Sequence, residues 1–311
     1  MGLKSIVSEW MDSIESSIHD GLVDIITSSL KTSQDMLSTG MNANKADDGI
    51  FHTFLSAHPS EFTGATDGTG TTIWSMMEML CNNAVVPIAG LIIVVILLND
   101  LIQQCMAGNN FRDFDTSIIF KWIVKCLIGV ILISNIYYLT SGFLAFGTSA
   151  TNAAMDTIFG SGSFITPASE IVVDGTDLGI GELFGILLMS GFLNLVIVAL
   201  LVIMIIVLAS RMIEIFMYLA ISPVPIATLM NNEWGQIGRN WVRSVCALGF
   251  QGLFIVIALT IFQTLFSNVL ANLATGRDVM MQMVILMGYS LALCFTILKT
   301  GNISKSVFNA H

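Results

Sequence analysis

Long apolar runs separated by short polar stretches dominate the chain. Residues 84–103, 118–140, 183–210, 245–270 and 279–298 carry few charges. Each is close to or above the ~20 residues with which an α-helix crosses a hydrocarbon core of roughly 30 Å. Five transmembrane helices are therefore expected within residues 71–300. Ahead of them, Leu3, Ile6, Val7, Trp10, Ile14, Ile18, Leu22, Ile25 and Leu30 recur at spacings near three and four, the stripe of an amphipathic helix. Its polar face is acidic, so it is not the basic type that seeks anionic lipid. It is expected to pack on the rest of the protein or on a neighbouring subunit. Together these features give an all-α integral membrane protein.

The third run leads into a different pattern. Arg211 and Glu214 lie three apart, a spacing at which they can pair on a continuous helix. Pairing would lower the cost of placing either near lipid. Pro223 and Pro225 then each remove a backbone donor and crowd the carbonyl one turn earlier. Lipid supplies no water in exchange, so a backbone broken here must be buried in protein or face a water-filled space. Residues 211–243 are accordingly read as a re-entrant or interfacial segment. Ser222, Pro223, Pro225, Arg211 and Glu214 are its candidate hinge, gate or subunit-contact residues, weighed against a plain structural kink. Trp234, Ile237, Trp241 and Val242 share a helical face beside Arg239 and Arg243, as in a helix lying at the membrane surface. Trp234, Trp241, Arg239 and Arg243 are thus candidate interfacial anchors. So are Lys121, Trp122 and Lys125 at the start of the second run, where lysines snorkel. Lining of an oligomeric pore is the other reading of the two lysines.

The polar stretches set the domain plan. Residues 1–70 combine the N-terminal helix with a Gly-, Ser-, Thr- and Asn-rich linker, and 301–311 form a tail. Residues 141–182, rich in Gly, Ser and Thr, read as a loop. Gly181 and Gly185 make a GxxxG that would let a neighbouring helix approach closely. Composition agrees with a membrane chain: of 311 residues 54% are hydrophobic and only 11% charged, against about 25% charged in soluble domains. The net charge of −10 is unevenly spread. Residues 1–80 hold Lys4, Lys31 and Lys45 against eleven acidic residues, and 148–182 contain acids but no Lys or Arg. Residues 1–24 show no basic start followed by an apolar core, so insertion is expected to rely on the first span. Lys and Arg collect on the cytoplasmic side. Five crossings with 211–230 dipping in and returning place the N-terminus and 141–182 outside and the C-terminus inside the plasma membrane. A full crossing at 211–230 would move Arg239, Arg243, Lys299 and Lys305 outside, a poorer fit.

No catalytic constellation stands out, and the chain is read as no enzyme. A GxxxxGK[ST] loop, an HExxH pair and a Gly-x-Ser-x-Gly elbow are missing, and no cofactor or metal is called for, bound lipid aside. Asp67-Gly-Thr-Gly-Thr71 carries part of the phosphorylated-aspartate signature of P-type pumps but lacks its lysine. Asp174-Gly-Thr lies in or beside a polar loop, where an intramembrane aspartyl pair would not form. Cys81, Cys105, Cys126, Cys246 and Cys294 are scattered and read as packing residues.

The run Arg211-Met-Ile-Glu-Ile-Phe-Met-Tyr-Leu-Ala-Ile-Ser-Pro-Val-Pro-Ile-Ala-Thr228, followed by Trp234-Gly-Gln-Ile-Gly-Arg-Asn-Trp241, resembles the TrbL-type polytopic subunits of type IV secretion systems. The forms encoded by Gram-positive mobile elements are the most similar. The likeness is sharpest over about residues 205–260. It implies a channel subunit of a conjugation machine, assembling with itself and with other secretion subunits, including a secretion ATPase, and passing DNA transiently. The competing class is a small-solute or ion transporter. Such proteins carry paired broken helices in two halves, and the sequence shows one strong break, at Ser222–Pro225.

Overall fold

The computed structural model describes residues 3–40, 54–55, 57–61, 72–107, 116–159, 178–231, 233–274 and 278–310. The Asp67 and Asp174 motifs, Arg112, Arg277 and the whole polar stretch 160–177 lie outside them. The helices are α1 (Leu3–Gly40), α2 (Ile73–Leu80), α3 (Val86–Ala107), α4 (Thr116–Ser134), α5 (Ile136–Phe159), α6 (Ile180–Ile221), α7 (Pro223–Thr228), α8 (Gly235–Ala274) and α9 (Val279–Val307). Among the described residues no strand occurs. Four stretches are long and apolar enough to cross a membrane: Ile73–Met106, Ile180–Ile221, Gly235–Leu273 and Val279–Val307. The pair α4 and α5, bent by 68° at its break, makes a fifth if taken as one span. The protein is an all-α membrane protein.

The elements differ from expectation where local chemistry redirects the backbone. The first span starts at Thr72, whose side chain caps Ser75 in a reciprocal capping box. Pro87 therefore falls inside a continuous helical path. A π-turn at Cys81–Val85 precedes it and absorbs the donor that the proline lacks. The expected span 118–140 is instead two helices meeting at Asn135. The Asn135 amide donates to Ile131 O at 3.0 Å, the carbonyl that its own N–H also reaches at 3.2 Å. Competition of this kind between side chain and ladder bends helices. The stretch 141–159, read as the start of a loop, is helical. Helix α9 ends at a left-handed Asn309, φ 50°, with Ala310 N–H donating to Lys305 O at 2.9 Å, a Schellman-type stop.

The chain divides into two compact units, one of residues 1–52, 155–207 and 255–299, the other of 53–154, 208–254 and 300–311. In the first, the later half of α1 packs through buried Ile26, Leu30 and Leu37. Asn194 of α6 ties it down: its Nδ2 donates to Ser29 Oγ at 2.8 Å, and its Oδ1 accepts from Ser33 Oγ at 2.5 Å. The earlier half of α1 keeps Ile6, Val7, Trp10, Ile14 and Ile18 exposed, so only part of the expected stripe finds a covering. In the second unit, Met212, Ile215, Leu219, Ile226, Trp241, Val245 and Leu248 form a core with Ile136, Tyr137 and Leu144. Trp74 stacks edge-on against Tyr137 at 4.7 Å between centroids, and the Tyr137 hydroxyl donates to Trp74 O at 3.0 Å.

Candidate functional site: a buried arginine clasp beside a proline break

Arg211 does not pair with Glu214. Its side chain is 2% exposed and turns away to three carbonyls. Nε donates to Leu248 O at 3.2 Å, Nη2 to Gly249 O at 3.2 Å and Nη1 to Phe54 O at 3.4 Å. Glu214 is half-buried and makes no ion pair among the described residues. The i,i+3 expectation fails because a long guanidinium stem reaches a neighbouring helix, and a planar fork suits several fixed acceptors. A helical carbonyl keeps a second lone pair after serving its own N–H, so Leu248 and Gly249 can accept without opening α8.

Glycines make room for this. A Cβ on Gly147 would lie 2.5 Å from Gly249 C and 2.7 Å from its Cα, so α5 and α8 cross backbone to backbone. A Cβ on Gly252 would meet Thr151 Oγ1 at 2.9 Å and Arg211 Nη2 at 3.1 Å. Thr151 turns its hydroxyl to Gly147 O at 2.9 Å. Small residues permitting such contact are the usual packing currency inside membranes. Sequence reading looked for this at Gly181 and Gly185. There a Cβ would meet nothing within 4 Å at Gly181 and only Met280 Cε, at 3.6 Å, at Gly185. The clue at the observed crossing was glycine in apolar helices, at 147, 249 and 252.

The break itself is confined to residues 222–234. Helix α6 runs on to Ile221 because neither Arg211 nor Glu214 interrupts a helix, and α8 is already helical from Gly235. Pro223 cannot donate to Leu219 O. Ser222 replaces it, with Oγ donating at 2.8 Å and N–H at 3.4 Å to that carbonyl. Helix α7, six residues long, follows with Pro223 in its first turn, and Pro223, Pro225, Ile226, Ala227 and Thr228 are all buried. The Thr228 hydroxyl donates to Pro225 O at 2.6 Å and accepts from Gly238 N–H at 3.0 Å. A Cβ on Gly238 would sit 2.6 Å from Pro225 O, so only glycine lets α8 lie this close. The interrupted backbone is walled in by polypeptide, as its unmet bonding groups require.

The other candidate residues separate. Trp241 is 8% exposed and packs near Tyr218, 6.4 Å between centroids; it belongs to the core, not to an interface. The face expected for Trp234, Ile237, Trp241 and Val242 is split: Trp234 and Ile237 are exposed, and Trp241 is buried by a partner on α6. Trp234, Arg239 and Arg243 are exposed, as is Lys121. Trp122 and Lys125 join α4 to α3: Trp122 Nε1 donates to Leu97 O at 2.9 Å, and Lys125 Nζ meets Asp100 Oδ2 at 2.7 Å. Gln104 donates to the same carboxylate oxygen at 2.7 Å. Asp100, 6% exposed, was not singled out in the sequence, although an acid inside an apolar run asks for a partner. Among the described residues no three His, Cys, Asp or Glu side chains gather as a metal site requires.

Residues 58–223 match the family model of TrbL/VirB6 plasmid conjugal transfer like proteins. The matched stretch takes in Arg211, Glu214, Ser222 and Pro223, and ends before the Trp234–Trp241 part of the resemblance. Neither the curated proteins nor the solved structures gave a match. The match covers more than half of the chain, and with its membrane-spanning helices and its walled-in proline break the chain belongs to the TrbL/VirB6 plasmid conjugal transfer like family.

Proposed function

We propose that this chain is a structural subunit of the membrane channel in a type IV secretion machine, self-associating and helping DNA, alone or with bound protein, across the cytoplasmic membrane. The family match over residues 58–223 carries this reading. The Ile73–Met106, Ile180–Ile221 and Val279–Val307 spans bury 28%, 33% and 33% of their most apolar windows, against 56% for the span of α8, which leaves apolar surface for lipid or a neighbouring subunit to cover. Energy comes from a partner, a secretion ATPase, since no nucleotide loop is present in the sequence. An in-frame deletion tests this: plasmid transfer falls below detection while growth is unchanged. Normal transfer from the deletion strain would refute the reading.

We infer the orientation from five crossings, counting the bent α4–α5 pair as one span, together with the cytoplasmic bias of Lys and Arg. Helix α7 spans only about 9 Å at ~1.5 Å per residue, too short to cross, so α6 ends and α8 begins on one side. The N-terminus then lies outside, the C-terminus inside. With native cysteines replaced, a cysteine at Asn302 resists membrane-impermeant thiol reagents in intact cells and one at Ser163 reacts. Labelling of both positions rejects the arrangement.

One observation favours the transporter class. The 68° bend between α4 and α5 is a second discontinuity, in the half of the chain where the sequence showed none. Solute uptake lost together with normal conjugation in the deletion strain would decide for it.

A further inference from the structure

The first two turns of α8 border a cavity of about 370 Å³ lined by Gln236, Ile237, Arg239, Asn240 and Arg243. Gln236, Arg239, Asn240 and Arg243 stand at i, i+3, i+4 and i+7, one stripe of the helix. Both arginines are exposed, and among the described residues neither has a carboxylate within 4.0 Å. The absent side chain of Gly235 leaves Arg239 room to fold back over the helix start: a Cβ there would lie 3.2 Å from its Nη1. Two planar forks and two amides lining one space offer a donor set for a tetrahedral oxyanion.

We propose that Gln236, Arg239, Asn240 and Arg243 form a cradle for the phosphate of an anionic phospholipid headgroup. Lipid is favoured over nucleic acid by what surrounds the cradle. Trp234 and Ile237 flank it with 54% and 55% of their surfaces exposed, apolar surface that a bilayer interface accepts and a hydrated polyanion does not require. The apolar run resumes at Val245, two residues after Arg243, so the guanidiniums stand at the boundary between hydrocarbon and headgroup. Helix α8, with 40 residues, extends about 60 Å at ~1.5 Å per residue, long enough to leave two turns outside the hydrocarbon. The inference does not rest on the secretion reading.

The test uses the full chain purified in a neutral detergent and titrated, with native mass spectrometry as readout, with dihexanoyl phosphatidylglycerol, dihexanoyl phosphatidylcholine, inorganic phosphate and a single-stranded oligonucleotide. Phosphatidylglycerol binds at least ~10-fold more tightly than phosphatidylcholine. The double variant Arg239→Gln, Arg243→Gln loses that preference. The double variant Lys299→Gln, Lys305→Gln, which removes as much charge elsewhere, keeps it. Should the first variant not purify as a single species, Arg239→Lys, Arg243→Lys retains the charge without the fork and weakens the preference several-fold. Equal binding of the two lipids, equal loss in both double variants, or inorganic phosphate binding as tightly as phosphatidylglycerol would overturn the proposal. Tighter capture of the oligonucleotide than of phosphatidylglycerol would overturn it in favour of nucleic acid.

Discussion

Asn194 and Arg211 stand on one helix, each in a different compact unit, and each is a polar group within an apolar span. Asn194 is neutral, and two serine hydroxyls one turn apart on α1 satisfy it. Arg211 carries a full charge, and no acid among the described residues answers it. Backbone carbonyls of Leu248, Gly249 and Phe54 do so instead. An amide needs one complementary neighbour. A lone guanidinium needs several oriented dipoles, and Gly252 leaves the room in which Arg211 lies against α8. The cationic clasp thus depends on the geometry of a whole crossing, the neutral one on two side chains.

The largest expected effect comes from reversing the charge. Arg211→Glu faces three acceptors with an acceptor and loses more than ~5 kcal/mol; no monodisperse protein elutes on gel filtration, and transfer is lost. Arg211→Lys keeps the charge without the fork and loses about 1–3 kcal/mol. A glutamate variant that melts like the parent would dissolve the contrast. Next is the crossing itself. Gly147→Ala drives a methyl into the Gly249 backbone and costs about 1–3 kcal/mol, seen as a lower Tm. Gly191→Ala, where a Cβ meets nothing within 4 Å, raises stability by up to ~1 kcal/mol through helix propensity; equal melting of the two variants would show that the crossing is not tight. The smallest is Asn194→Leu. Interhelical hydrogen bonds in membranes average about 0.6 kcal/mol, so total stability changes by ~1 kcal/mol or less while limited proteolysis cuts α1 faster. Unchanged cleavage of α1 would mean that its apolar contacts suffice without the amide.

How far the sequence carried the fold follows from which forces act locally. Hydropathy marked the four stretches long and apolar enough to cross, because crossing length and apolar content are properties of single segments, but it ran 118–140 through the bend at Asn135. It misplaced 141–159, where Ser141, Gly142, Gly147, Thr148 and Thr151 read as a loop. In water such residues favour turns; here Gly147 and Thr151 fit the helix against α8. The proline break was legible from Pro223 and Pro225, since their missing donors are a covalent fact. Its bounds were not, because nothing between Arg211 and Ile221 interrupts a ladder. Long-range choices were hidden altogether. Arg211 preferred carbonyls far along the chain to Glu214 one turn away, Lys125 found Asp100, and Trp241 turned inward to Tyr218. Each depends on which helices become neighbours, which no local spacing encodes.

The Thr228 hydroxyl gives and receives at once, joining Pro225 O to the N–H of Gly238. The elbow between the proline turn and the helix after it is therefore braced through one oxygen atom, beside the backbone bonds from Asn231 N–H to Thr228 O and from Gly235 N–H to Asn231 O. Valine would copy the shape of that side chain and supply neither bond, so among residues of similar size only one able to act in both directions can keep the joint closed.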